Sequence, residues 1–268
     1  MDSNHTLLKR NWEYRFKKFE QSILSWTSRT LNSVTQRIEV IKIYALSRIY
    51  YVAAVIPLSK TLVKKFEKSI RKFIWLHSGK LLRISFSDLK HPPSKGGLGL
   101  VCLYGMSRSL RLIQLVRLLK SEDPKSINHV TYWIGDCCDD FLPDGLLAVA
   151  RHSNIVPPFF QSLAELLCDA KLEDVISLTN WRILTNRMVY KHHVGKLPPL
   201  KLEQDLGVSL QNVWGKMLSP AIDSIVRERL YFLVHNKLPT RERLFRFFSV
   251  NDPYCLCLLY TSPSPRDS

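Results

Sequence analysis

The sequence predicts a mainly α fold: a helical bundle with a short extended arm, followed by a linker and a second helical module. Three observations carry this. Apolar residues recur at three- and four-residue steps over long stretches that lack Gly and Pro. Apolar/polar alternation is confined to one short run. Of the 268 residues 46% are apolar, enough to bury a substantial core in one large or two small domains.

Charge adds a functional expectation. The chain holds 39 Lys and Arg against 23 Asp and Glu, a formal net charge of +16. Residues 1–120 carry 23 basic and 6 acidic side chains, whereas residues 121–268 carry 16 and 17, so the excess is confined to the first part. Such asymmetry predicts a surface for a polyanion, nucleic acid or anionic membrane, with a charge spread evenly for solubility as the alternative.

Residues 31–56 place Leu31, Val34, Ile38, Ile41, Ala45, Ile49, Val52 and Ile56 at helical spacing, and Pro57 ends the run. On a uniform α-helix Arg37, Tyr44, Arg48 and Tyr51 cluster on another flank, at steps of seven, four and three. Guanidiniums there would contact phosphates while rings pack on sugars and bases. The alternative, equally open, is that the tyrosines widen the buried face.

Residues 59–75 give a cleaner pattern. Leu62, Val63, Phe66, Ile70, Phe73 and Ile74 fall on one side of a helix; Lys64, Lys65, Lys68, Arg71 and Lys72 fall within an arc of roughly 120° on the other. Glu67 is their single acidic neighbour, four residues before Arg71, so most of the repulsion among five cations is not offset. A polyanion relieves it while releasing its own counterions. A merely solvated face is the alternative.

Leu82, Ile84 and Phe86 alternate ahead of Pro-Pro and Gly-Gly turns, which predicts a short strand or extended arm and a loop. "GGLGL" lacks the spacing of a phosphate loop; Gly96, Gly97 and Gly99 are expected to allow tight packing against the basic helix. A Leu-rich helix over 104–120 ends at "SEDP", and 121–175, with "DCCDD" and two Pro-containing loops, is the weakest region for pattern. Helical pieces return in "NWRILTNRMVYKHHV", "VWGKMLSP" and "AIDSIVRERLYFLVHNKLPTRERLFRFF", the last interrupted by Pro239 with Thr240 placed to cap a new helix. The expected division is a basic helical region 1–100, a linker 101–175 containing helix 104–120, a helical module 176–250, a cysteine-bearing start of a further motif 251–257 and a low-complexity tail 258–268.

Catalytic signatures are missing. Asp139-Asp140 follow Cys137-Cys138 without the apolar strands that would hold a two-metal carboxylate pair, so an acidic loop is expected. His192 and His193 point about 100° apart on a helix and are expected at the surface. Six scattered cysteines with no secretory leader predict a reducing, intracellular setting, nucleus or cytoplasm, and no stretch is long and apolar enough to span a membrane.

Taken in order, "LNSVTQRIEVIKIYALSRIYYVAAVIPLSKTLVKKFEKSIRKFIW" and "LRISFSDLKHPPSKGGLGL" resemble the segment after the polymerase palm in reverse transcriptases of non-LTR (LINE-like) retrotransposons. Trp26 stands ahead of an Arg29–Leu31 step that leads into it, and "LYFLVHNKLPTRERLF…NDPYC" resembles the approach to the zinc knuckle farther along. The resemblance implies a thumb-like basic region over 1–100 that grips RNA and RNA–DNA hybrid, with palm and fingers of the parent polymerase in cis and no membrane. It implies Mg and Zn for the full-length parent and none for this piece: the family's paired metal-binding aspartates have no counterpart here, so it is not expected to polymerise alone. Cys255 matches the knuckle's first ligand, but Cys257 follows after one residue rather than two, and no Cys or His comes later. The knuckle is therefore expected to be incomplete and to bind no structural zinc. Residues from about Leu256 onward are expected to reflect truncation or a cloning artefact, with a disordered Ser/Pro tail as the alternative. Two other functions compete: a helical adaptor for protein partners, and a peripheral binder of anionic membrane, which would require Phe66 and Phe73 to be exposed.

Overall fold

A computed structural model describes residues 3–29, 31, 33–75, 84–121, 123–134, 156–167, 183–217, 222–238 and 245. It is mainly helical, with twelve α-helices and no strand among those residues. Two compact units divide the chain: Met1–Arg29, Glu39–Ile70 and Leu100–Pro198 form the first; Thr30–Ile38, Arg71–Gly99 and Pro199–Ser268 form the second.

The first unit opens with α1 (Ser3–Leu24), whose Trp12, Phe16, Phe19 and Ile23 recur at steps of four, three and four and are all buried. Next in this unit come a π-helical turn, Ile41–Ala45, α3 (Ser47–Ala53) and residues 60–70 of α4 (Lys60–Ile74). Phe66, fully buried, meets Trp12, Phe16 and Phe19 edge-on at centroid distances of 6.2, 5.1 and 4.9 Å. Two polar links fix the same junction: the Trp12 Nε1–H donates to the Pro57 carbonyl, and the Ser69 hydroxyl donates to Glu20.

The second core of this unit is built by α6 (Leu103–Lys120), α7 (Pro124–Ile134), α8 (Pro158–Leu167) and α9 (Asn186–Gly195). Leu112, Leu115, Val116 and Leu119 of α6 bury against Val130 and Ile134 of α7, Phe160 and Leu163 of α8, and Val189 of α9. The apolar faces of α6, α7 and α8 thus share one core, and α6 covers the helix expected over 104–120. Close approach explains Gly105: a Cβ there would run into the imidazole of His193, which is half-buried beside Tyr104 rather than on the surface.

In the second unit Ser33 and Gln36 form a capping box at the start of α2 (Val34–Val40): Gln36 N–H donates to the Ser33 hydroxyl at 3.0 Å and Ser33 N–H to Gln36 Oε1 at 3.3 Å. Ile84 is buried and Phe86 opens the short helix α5 (Phe86–Leu89), so the described part of the expected extended arm is not a strand; Leu82 lies outside the described residues. After a 3₁₀ turn, Pro93–Lys95, Gly96 takes a left-handed φ of 76°, where a Cβ would strike the ring of Trp214. Its packing partner is therefore Trp214 of α11 (Gln211–Met217), not the basic helix. The α10 (Lys201–Leu206) start is capped by Asp88, which accepts from the Lys201 backbone N–H. On α12 (Ser224–Val234), Asp223 caps Ile225 and Val226, and Tyr231 donates its phenol proton to the Gly96 carbonyl at 3.0 Å.

Candidate nucleic-acid interface

Helix α4 presents the expected two faces. Val63, Phe66, Ile70, Phe73 and Ile74 are buried; Lys64, Lys65, Lys68, Arg71 and Lys72 are exposed. None of the five cations pairs with a carboxylate within 4.0 Å among the described residues, whereas Lys42 is held by Glu39 at 2.7 Å. Two of them lie over aromatic rings: Lys65 Nζ is 4.2 Å from the Phe16 centroid, and the Arg71 guanidinium is 4.9 Å from that of Phe86. Lys64, Lys65 and Lys68 belong to the first unit, Arg71 and Lys72 to the second.

The second stripe survives only in part. A bond from Leu46 N–H to the Ile41 carbonyl, five residues back, marks the π turn, and the extra residue in that turn changes the angular phase of everything after it. Tyr44 lies in the turn, Arg48 and Tyr51 follow it, and all three are exposed, Tyr44 by 47% and Tyr51 by 82%. Arg37 precedes it and is 5% exposed. Its guanidinium donates to the Ile74 carbonyl at 2.7 Å and the Leu31 carbonyl at 2.9 Å. Burial lowers its pKa, partly offset by Glu228, whose own carboxyl is raised by burial while it accepts from Val34 N–H at 2.8 Å. Arg37 thus ties the second unit together and is corrected from a phosphate contact to an interior brace.

Residues that the periodicity argument passed over join the first unit's surface. Trp26 stands 4.7 Å from the Tyr44 ring and under the Arg29 guanidinium at 4.3 Å, which makes a half-open ladder of Arg, Trp and Tyr. The π turn leaves the Tyr44 carbonyl outside the helix ladder, where the hydroxyls of Ser22 and Ser47 donate to it at 3.4 and 3.2 Å. On α1, Lys9, Arg10, Lys17 and Lys18 are exposed, the last three on the side away from Trp12, Phe16 and Phe19. The signal was present in the sequence, since the apolar steps of α1 fix its outward side as surely as those of α4.

The second unit holds a separate cleft of about 560 Å³ lined by Asp88, Lys201, Asp205 and His235 among others. Burial raises the Asp88 carboxyl; the Lys201 amide, His91 and Ser87 pull it back. His235 is 8% exposed, stacked on Trp214 at 5.6 Å and edge-on to Tyr231 at 4.6 Å, with no hydrogen bond to Nε2. Burial, with Lys237 nearby, pushes its pKa from 6.5 down to about 4. Above pH 6.5 both folded and unfolded states are neutral at this ring. As pH falls from 6.5 to about 4 the unfolded chain takes up a proton that the folded chain refuses, so stability is lost at up to about 1.4 kcal/mol per pH unit. Exchanging His235→Phe keeps a ring in the stack and removes the titration. The stability difference between variant and wild type is expected to grow over that window in denaturant titrations; parallel curves would contradict this.

No group of three or more His, Cys, Asp or Glu able to hold a metal occurs among the described residues. Asp139, Asp140, Cys255, Cys257 and Thr240 lie outside the described residues. No helix is long and apolar enough to cross a membrane, again among the described residues. What the fold and this surface define is a mainly helical protein with a cationic helix face that has no carboxylate partner among the described residues. Comparison with protein-family models, curated proteins and solved structures finds no match to the chain.

Proposed function

We propose that this chain binds RNA and RNA–DNA hybrid with little sequence preference, as a piece of a retrotransposon RNA-directed DNA polymerase lying after its palm, acting in the nucleus or cytoplasm. The observation that carries the reading is the state of α4: five exposed cations without carboxylate partners among the described residues, above an apolar face whose Val63, Phe66, Ile70, Phe73 and Ile74 are buried. Exposed Tyr44, Arg48 and Tyr51 offer stacking and phosphate contacts from the first unit. The family assignment itself rests on the sequence resemblance. Because Phe66 and Phe73 are buried, α4 has no apolar face left to insert into a lipid surface.

The test is fluorescence anisotropy with labelled single-stranded RNA and RNA–DNA hybrid over a range of salt. A surface that neutralises four phosphates gives a slope of log K against log salt of about −3, from roughly 0.7–0.9 per phosphate. Affinity should vary little between sequences of equal length. Absence of binding at low salt, or a flat salt dependence, defeats the reading and favours the adaptor.

A further inference from the structure

The first unit contains a small cleft, about 250 Å³, where the entry to α4 meets α6 and α8. Its walls carry three cations, Lys60, Arg108 and Arg111, and one carboxylate, Glu165. Arg108 and Arg111 share one face of α6 with Tyr104, at steps of four and three. Arg108 lies against Tyr104, donating to its hydroxyl at 3.0 Å.

Arg111 is the unusual member. It is 5% exposed, yet its guanidinium makes one hydrogen bond among the described residues, from Nε to the Ser107 carbonyl at 3.3 Å; both terminal nitrogens lack an acceptor, and no carboxylate stands within 4.0 Å. Burial, then repulsion from Arg108, pushes its pKa down to about 10, against opposing help from Tyr104 and Glu165. The terminal nitrogens are not among the sealed-off side-chain atoms without a partner, so they open into the cleft that Arg111 lines and are free to donate to a ligand there. The start of the 15-residue α4, at Lys60, adds the positive end of a helix dipole to the same cleft.

We propose that this cleft is a phosphate-binding site in which Arg111 donates in bidentate fashion, with Lys60 and Arg108 supplying the balancing charge. A tetrahedral oxyanion matches the planar fork of the guanidinium. The volume lies below the roughly 300 Å³ at which pockets begin to enclose drug-sized ligands, so the cleft takes one phosphate group and leaves any remainder of the ligand outside. The inference is independent of the cationic face of α4.

The experiment titrates the full chain with inorganic phosphate against chloride at matched ionic strength and follows the thermal midpoint. A saturable rise is expected for the wild type. Lys60→Ala should weaken phosphate about fivefold, the effect of one charge a few ångströms away in water, and Glu165→Gln should tighten it by a similar factor. Arg111→Met should abolish the response; Arg111 is buried, so the two exposed positions, Lys60 and Glu165, carry the test without disturbing the core. No saturable rise, or equal responses in the wild type, Lys60→Ala and Glu165→Gln, overturns the site. A labelled oligonucleotide then separates the two sources of the group: displacement by phosphate assigns the cleft to a nucleic-acid backbone phosphate, and phosphate binding without displacement assigns it to a free phosphate or small phosphorylated molecule.

Discussion

Replacing Lys64, Lys68, Arg71 and Lys72 with glutamate is expected to abolish RNA binding while leaving the helical circular dichroism spectrum intact. All four side chains are exposed and none has a carboxylate partner among the described residues, so reversal removes one internal contact, that of the Arg71 guanidinium over the Phe86 ring. At about 1 kcal/mol per ion contact in water, loss of four contacts is worth about 4 kcal/mol, roughly a thousandfold in affinity, before the added repulsion of four new anions. The salt slope should shrink by about 3 as the contacts disappear. Lys65 is left in place because its ammonium also lies over the Phe16 ring, so its removal would mix packing with charge. Affinity unchanged in the quadruple variant would remove α4 from any interface with nucleic acid.

Truncating Phe66→Ala should have the largest effect on stability. The ring is fully buried and three aromatic side chains meet it edge-on, so the substitution forfeits both transfer energy and those pairings and leaves a cavity that Trp12, Phe16 and Phe19 cannot close together. The cost expected is about 3–5 kcal/mol, a large part of the 5–15 kcal/mol typical of a folded domain. Tyr51→Ala, at an 82% exposed position, provides the contrast and should stay within about 0.5 kcal/mol. Urea denaturation of the two variants beside the wild type measures both; a loss below 1 kcal/mol for Phe66→Ala would mean that α1 and α4 do not share a core.

The alanine contrast also separates structure from binding. Tyr51 contributes nothing to packing, so any loss of RNA affinity on its removal reports stacking, worth about 1–3 kcal/mol per base when a ring is engaged. The sequence alone left these tyrosines divided between a widened core and an exposed stripe. Exposure of Tyr44 and Tyr51 decides for the stripe.

Helix identity and the two faces of α4 were legible in the sequence because amphipathic spacing is local: once Val63, Phe66, Ile70 and Phe73 point inward, the intervening lysines can point only outward. The same logic orders Val34, Ile38, Ile41, Ala45, Ile49 and Val52, all buried as their spacing requires. Tertiary structure decided the rest. A π turn at Ile41–Ala45 reset the helix phase, which no count of 100° per residue anticipates, and so parted Arg37 from Tyr44. Arg37 found its acceptors at the Leu31 and Ile74 carbonyls, and Gly96 found Trp214, 118 positions along the chain. Leu112, Leu115 and Val116 of α6 became core because they met apolar partners on α7, α8 and α9. Periodicity tells a side chain which way to face; the identity of what it meets depends on partners far away in sequence, whose approach is fixed only when the whole chain has packed.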